Sequence, residues 1–126
     1  MTCNHCKDVE TVAHILLYCP EVYSFWQKVR YLICTQFNIN INIDEKMLLI
    51  GCDVENGDMI LLNIILIFAQ FTIYRVYMLC KFTSKQFNSF SLTSEFKREL
   101  VINLKFLEKN NMIKLTEEQY SEIQML

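Results

Sequence analysis

A mainly α fold is predicted by three features of this 126-residue chain. Turn formers are scarce, with one proline (Pro20) and two glycines (Gly51, Gly57), which suits helices and argues against a multi-hairpin β-fold. Apolar residues recur at helical spacing in several stretches. A dense Cys/His set opens the chain, in the stretch MTCNHCKDVETVAHILLYCP. The architecture expected is an N-terminal Cys/His module leading into a small bundle of about four to five helices. Positions 1–34 hold the module and the start of the helical domain, and 35–126 hold the rest of one compact unit. With 52% apolar residues, a chain of this length can bury a core without disulfides.

Charge narrows the place where a polyanion could bind. The formal net charge is −2 and the pI is about 5.7, so the whole molecule does not attract polyanions. The first 60 residues carry eight acids and four bases. Residues 81–114 reverse this, with seven bases (Lys81, Lys85, Lys97, Arg98, Lys105, Lys109, Lys114) against Glu95, Glu99 and Glu108. No secretory leader is expected, because Met1 is followed at once by polar residues and a Cys pair. A reducing compartment, nucleus or cytoplasm, is therefore expected, where clustered cysteines bind metal more often than they pair.

The spacing Cys3-x2-Cys6-x7-His14-x4-Cys19 defines a zinc-knuckle-like CCHC module. Two thiolates two residues apart can turn around one ion, and an imidazole with a third thiolate completes a tetrahedron suited to zinc. Four protein ligands leave no open position, so the role expected is structural. Asp8 is placed to cap a short helix beginning near Val9 and carrying His14. On an ideal α-helix His14 and Cys19 are about 140° apart. The break at Pro20 lets the last ligand swing toward the ion. His5 is the rival ligand to His14; sitting between Cys3 and Cys6, its side chain is expected to point away from an ion that both hold and to be available to a partner. Cys34, Cys52 and Cys80 read as buried thiols.

These residues resemble a known segment. Cys3-x2-Cys6, Glu10-Thr11, His14, Cys19-Pro20 and Phe25-Trp26 are similar to the zinc-binding stretch at the C-terminal end of non-LTR (LINE-type) retrotransposon reverse transcriptases. The likeness is dense over about the first thirty positions and weak beyond them. It implies zinc on Cys3, Cys6, His14 and Cys19, and a region downstream of a polymerase that helps hold nucleic acid during reverse transcription. It also implies a fragment or truncated copy, since nothing here resembles the polymerase.

Helix two is expected to start at Pro20 and to bury Val22, Phe25, Trp26, Val29, Leu32 and Ile33. Trp26 belongs to that stripe, which makes it core rather than a stacking platform. Residues 35–45 alternate apolar and polar, as in a strand or an extended loop. Met47–Ile50 form a short apolar segment, and 51–58 a loop. Residues 59–82 are apolar nearly all round and predict a central buried helix. A membrane span is the weaker reading, because Asn63, Gln70, Thr72 and Arg75 interrupt the run.

Residues 94–110 predict a helix capped by Thr93 or Ser94. Its core face is Phe96, Leu100, Leu104 and Leu107. Lys97, Arg98, Lys105 and Lys109 gather on an adjacent arc, with Glu108 intruding, and no aromatic or amide reader accompanies them. Thr116 to Gln119 form a capping box for a final short helix.

No nucleophile–base set emerges, so the chain reads as non-catalytic. The function expected is a structural zinc-binding domain that helps bind RNA or single-stranded DNA. Its candidate contacts are His5, Lys7, Lys97, Arg98, Lys105 and Lys109. A zinc-stabilised scaffold is the alternative, packing against the polymerase part of its own parent protein without touching nucleic acid.

Overall fold

Pro20 sets the first long helix. Proline fixes φ and lacks the N–H that a first helical position leaves unused. In the computed structural model, which describes residue 11 and residues 14–37, 43–44, 58–83, 85 and 87–126, α1 spans Pro20–Phe37. The carbonyl of Cys19 accepts the Tyr23 N–H at 2.9 Å, making Cys19 the residue that enters the helix. All six residues of the expected stripe are buried, from Val22 to Ile33.

Before α1 the chain forms one π-helical turn, His14–Tyr18. Thr11 caps it: its Oγ1 accepts the His14 N–H at 3.0 Å. The expectation of a helix from Val9 capped by Asp8 falls on residues outside those described. The described Thr11 is itself non-helical, so the turn starts after it.

α1 runs further than the alternation predicted. Thr35 to Phe37 belong to its last turn, not to a strand. The Thr35 hydroxyl donates back to the carbonyls of Tyr31 and Leu32, both at 3.0 Å, which lets a β-branched polar residue sit in a helix. Ile43 and Asp44 have no regular structure, and the remainder of 35–45 lies outside the described residues, as do Met47–Ile50 and 51–57.

The apolar run forms α2, Asp58–Thr83. It is buried on one side only. Leu62, Ile65, Leu66, Ala69, Ile73 and Tyr77 enter the core, while Ile67, Phe71, Tyr74, Leu79 and Phe82 are exposed. The expected central buried helix is thus buried along one side and exposed along the other. α2 packs against α1, the π turn and one further long helix, and those neighbours cover a single side. Its segment Leu61–Thr83 is long and apolar enough to cross a membrane, and half of the most apolar window is buried within the chain. Thr72 satisfies its hydroxyl on the Phe68 carbonyl at 2.8 Å.

α3 spans Ser89–Lys109 and starts five residues before the sequence placed it. Asn88, not Thr93 or Ser94, is the cap: its Oδ1 accepts the Ser91 N–H at 2.8 Å. Phe87, just before the cap, and Leu92, on the next turn, are both buried, the pattern of a hydrophobic staple. Glu21 of α1 accepts the Ser89 N–H at 2.9 Å, satisfying another orphan donor of the first turn. Thr93 is buried within the helix, its hydroxyl on the Ser89 carbonyl at 2.8 Å.

α3 ends in a Schellman motif. Asn111 takes φ 59°, its N–H donates to Glu108 and the Met112 N–H donates to Leu107. Asparagine is the residue other than glycine that fills this left-handed position most readily. α4, Glu117–Gln124, opens with the expected capping box: Thr116 Oγ1 accepts from Gln119 N at 3.1 Å, and Gln119 Oε1 from Thr116 N at 2.9 Å.

The described residues are therefore mainly helical, with no strand among them. α3 packs on α1, α2 and α4 around one core. Phe25 and Phe96 meet edge to face at 5.4 Å between centroids, joining α1 to α3. Tyr77 and Phe87 do the same at 5.4 Å, joining α2 to the α3 entry. Such aromatic pairs contribute about 0.5–1.5 kcal/mol beyond their burial.

Candidate functional site

Two of the four expected zinc ligands are among the described residues. His14 opens the π turn and is 7% exposed; Cys19 closes it and is fully buried. The Cys19 N–H donates to the His14 carbonyl at 2.9 Å. This five-residue hydrogen bond widens the turn beyond an α-helical one. Positions five apart thus come nearer to one face than the ideal α-helical separation of about 140° allows. The mechanism differs from the one the sequence suggested. A wide turn ahead of Pro20, and not the proline break alone, narrows the angle between the two positions.

Trp26 anchors the turn to α1. Its Nε1 donates to the Leu16 carbonyl at 2.6 Å, and its ring is 3% exposed and tilted against Phe25 at 5.7 Å. The hydrogen bond takes up a backbone acceptor that a single helical turn leaves without a partner. Trp26 is thus core, and its hydrogen bond makes it a strut between α1 and the turn that opens with His14.

Cys3, Cys6, His5 and Lys7 lie outside the described residues. Among the described residues no three or more of His, Cys, Asp and Glu gather as a metal-binding group. The pair His14 and Cys19 supplies one nitrogen and one sulfur donor of the kind zinc takes.

Of the other cysteines, Cys80 is buried and Cys34 is half-buried with a free thiol; Cys52 is outside the described residues. Burial raises the Cys80 thiol pKa, with Lys85 opposing. A raised pKa makes a thiol inert.

The expected basic arc on α3 is divided. Lys105 and Lys109 are exposed, whereas Lys97 is half-buried at the margin of the core. Arg98 is exposed but engaged: it meets Glu95 at 2.8 Å and Glu99 at 3.2 Å. Arg75 reaches the same two acids from α2, at 3.1 and 3.2 Å. The hydrogen bond to Glu95, then the charges of Glu95 and Glu99, raise the Arg98 pKa. The charges of the two arginines and the two glutamates cancel, which leaves Lys97 as the uncancelled base at this end of the arc.

Glu108 stands beside Lys109 on α3, with its carboxylate engaged by the α3–α4 loop and by α4. Its two carboxylate oxygens accept from Leu115 N at 3.0 Å and from the Tyr120 hydroxyl at 3.2 Å. It ties the α3–α4 loop and α4 back to α3. The sequence reading also missed Phe106, 63% exposed, and Ile102, 55% exposed, beside Lys105 and Lys109. The signal was present: at 100° per residue both lie off the stripe of Phe96, Leu100, Leu104 and Leu107.

A second exposed apolar surface lies on α2. Ile67, Phe71 and Tyr74, with Gln70 and Leu16 of the π turn, line a groove of about 340 Å³.

The chain matches no known protein family, no curated protein and no solved structure.

Proposed function

We propose that this chain is a structural zinc-binding domain of the kind found at the C-terminal end of LINE-type reverse transcriptases, and that it helps bind RNA or single-stranded DNA. The observation that supports this best is the spacing Cys3-x2-Cys6-x7-His14-x4-Cys19-Pro20, taken with the burial of His14 and Cys19 on one wide turn.

Cys3, Cys6, His14 and Cys19 would hold the ion. Bound zinc supplies a closed cross-link between the N-terminal arm and the helical domain, with no coordination position left for chemistry. His14 offers a ring nitrogen in a buried place, and Cys19 offers a thiol at the mouth of α1. Trp26 ties the turn between them to α1 through the Leu16 carbonyl. The role is therefore to hold a strand in place rather than to react with it.

The test has two parts. Purified protein is assayed for about one zinc per chain, and for binding of labelled single-stranded RNA at low and at moderate salt. Zinc retained with binding that weakens as salt rises supports the reading. No single-strand binding at low salt removes the nucleic-acid half.

The exposed α2 face favours a second reading, a zinc-stabilised protein-interaction scaffold. Phe71 is 67% exposed, Tyr74 56% and Phe82 78%, and contiguous apolar surface of this kind marks interfaces. A Phe71→Glu variant that stays folded but no longer co-purifies with a parent polymerase fragment would favour it.

A further inference from the structure

Ile102, Lys105, Phe106 and Lys109 occupy positions i, i+3, i+4 and i+7 of α3. On an α-helix these are surface neighbours, about 5–6 Å apart at Cβ. At 100° per residue they centre about 170° away from Leu100 and Leu104, which are fully buried. Neither lysine forms an ion pair with any described residue. Glu108, the acid beside Lys109 in sequence, is held by Leu115 and Tyr120. Glu95 and Glu99 are occupied by Arg75 and Arg98.

The result is a phenyl ring at 63% exposure set between two exposed lysines that form no ion pair with any described residue. Phe106 contributes little to the core, so its exposure calls for an outside partner. The lysines require that partner to be anionic, and the ring requires it to present a flat apolar face. A single-stranded nucleic acid has both, since an unpaired base can stack on the ring while its phosphates meet the lysines. A duplex keeps its bases stacked inside, beyond the reach of a ring on the convex side of a helix.

We propose that Ile102, Lys105, Phe106 and Lys109 form a single-strand contact in which an unpaired base stacks on Phe106 and its flanking phosphates lie on Lys105 and Lys109. This rests on the nucleic-acid reading above and narrows it to one patch. Ile102 borders the ring and widens the apolar platform.

The experiment measures fluorescence anisotropy of labelled single-stranded RNA with the full zinc-loaded chain, at about 50 and 200 mM salt. Phe106→Ala should weaken binding about 5- to 100-fold and leave the salt slope unchanged. Phe106→Trp should restore binding. The double variant Lys105→Ala with Lys109→Ala should flatten the slope by about 1.4. Helical circular dichroism stays unchanged throughout, because all four side chains lie outside the core.

Wild-type affinity in Phe106→Ala, alongside loss in the lysine variant, would overturn the stacking contact and leave the nucleic-acid reading standing. Failure of the wild-type chain to bind single-stranded RNA or DNA at low salt would remove both. Binding to phosphatidylserine vesicles instead of single strands would assign the patch to a lipid surface and overturn the proposal.

Discussion

The backbone N–H of Cys19 donates to the carbonyl oxygen of His14 at 2.9 Å. One hydrogen bond thus spans both described candidate ligands and fixes their separation along the chain. Substituting either side chain leaves this backbone bond in place. The proposed metal binding and the local fold are therefore separable by mutation.

The first prediction follows from that separation. His14→Ala and Cys19→Ala should each bring zinc content from about one per chain to near zero. The far-UV circular dichroism of α1, α2 and α3 should persist, because Val22 to Ile33 stay buried beneath the turn. Elemental analysis after gel filtration reads the metal directly. Full zinc in the double variant would show that the ligand assignment is wrong.

Trp26→Phe tests the strut. The Leu16 carbonyl loses its 2.6 Å donor, and the smaller ring leaves a gap at a site 3% exposed. A loss of about 1–3 kcal/mol is expected from the unpaired acceptor. Urea unfolding followed by circular dichroism measures it. Zinc affinity should fall in parallel, since His14 and Cys19 lose their support. A variant with wild-type stability and metal affinity would remove Trp26 from this role.

How much of this was legible in the sequence differs from element to element. The start of α1 was readable because Pro20 admits one helical position, and the α4 cap because Thr116 and Gln119 each answer the other. The start of α3 was not, for a physical reason. The stretch NSFSLTS offers several side chains that can cap equally well. Burial of Phe87 against Tyr77 selects Asn88, and that contact spans the fold. The exposed side of α2 was hidden for the opposite reason: with apolar residues all round, periodicity cannot say which side the neighbours cover. The α3 arc was visible as angles, but its partners were not. Arg75 arrives from another helix, and Tyr120 and Leu115 from beyond a chain reversal. Lys105 and Lys109 keep the place expected of them, whereas Arg98 is a structural partner of two acids.

The α3 cap itself gives a discriminating stability test. Asn88→Ala should destabilise the chain by about 0.5–2 kcal/mol, because the Ser91 N–H loses its acceptor at 2.8 Å. Ser94→Ala, on the exposed side of the same helix, should change stability by less than about 0.5 kcal/mol. Chemical denaturation of both variants decides it, and the reverse order of effects would place the cap where the sequence suggested.

The Arg75, Arg98, Glu95 and Glu99 cluster should matter more for charge than for stability. Its arginine side chains are 50% and 58% exposed, and its glutamates 39% and 27%. Exposed pairs contribute about 0–1 kcal/mol, so Glu95→Gln with Glu99→Gln should shift the urea midpoint only slightly. The same change releases both guanidinium groups next to Lys105 and Lys109. Single-stranded RNA affinity should rise, and the salt dependence should steepen by about 0.7 for each phosphate newly met. Unchanged affinity and slope would show that strands do not pass along this side of α3.

Tyr120 gives the pH dependence. Its hydroxyl donates to Glu108 at 3.2 Å, and its pKa is raised by burial first, then by that hydrogen bond and the Glu108 charge. The unfolded tyrosine titrates near about 10. Below that pH both states hold the proton, and the contribution to stability is fully present. Above it the unfolded chain releases its proton first and binds fewer protons than the native state, so stability falls as pH rises through the folded pKa. Tyr120→Phe lacks the titrating group and should lose less stability than wild type as pH rises above about 10. At neutral pH the variant should be weaker by about 1 kcal/mol for the missing hydrogen bond. Denaturation curves of both chains at neutral and alkaline pH measure the difference directly, with the titration of the other tyrosines and the lysines common to both. Parallel alkaline losses in the two chains would show that Glu108 does not hold the Tyr120 proton.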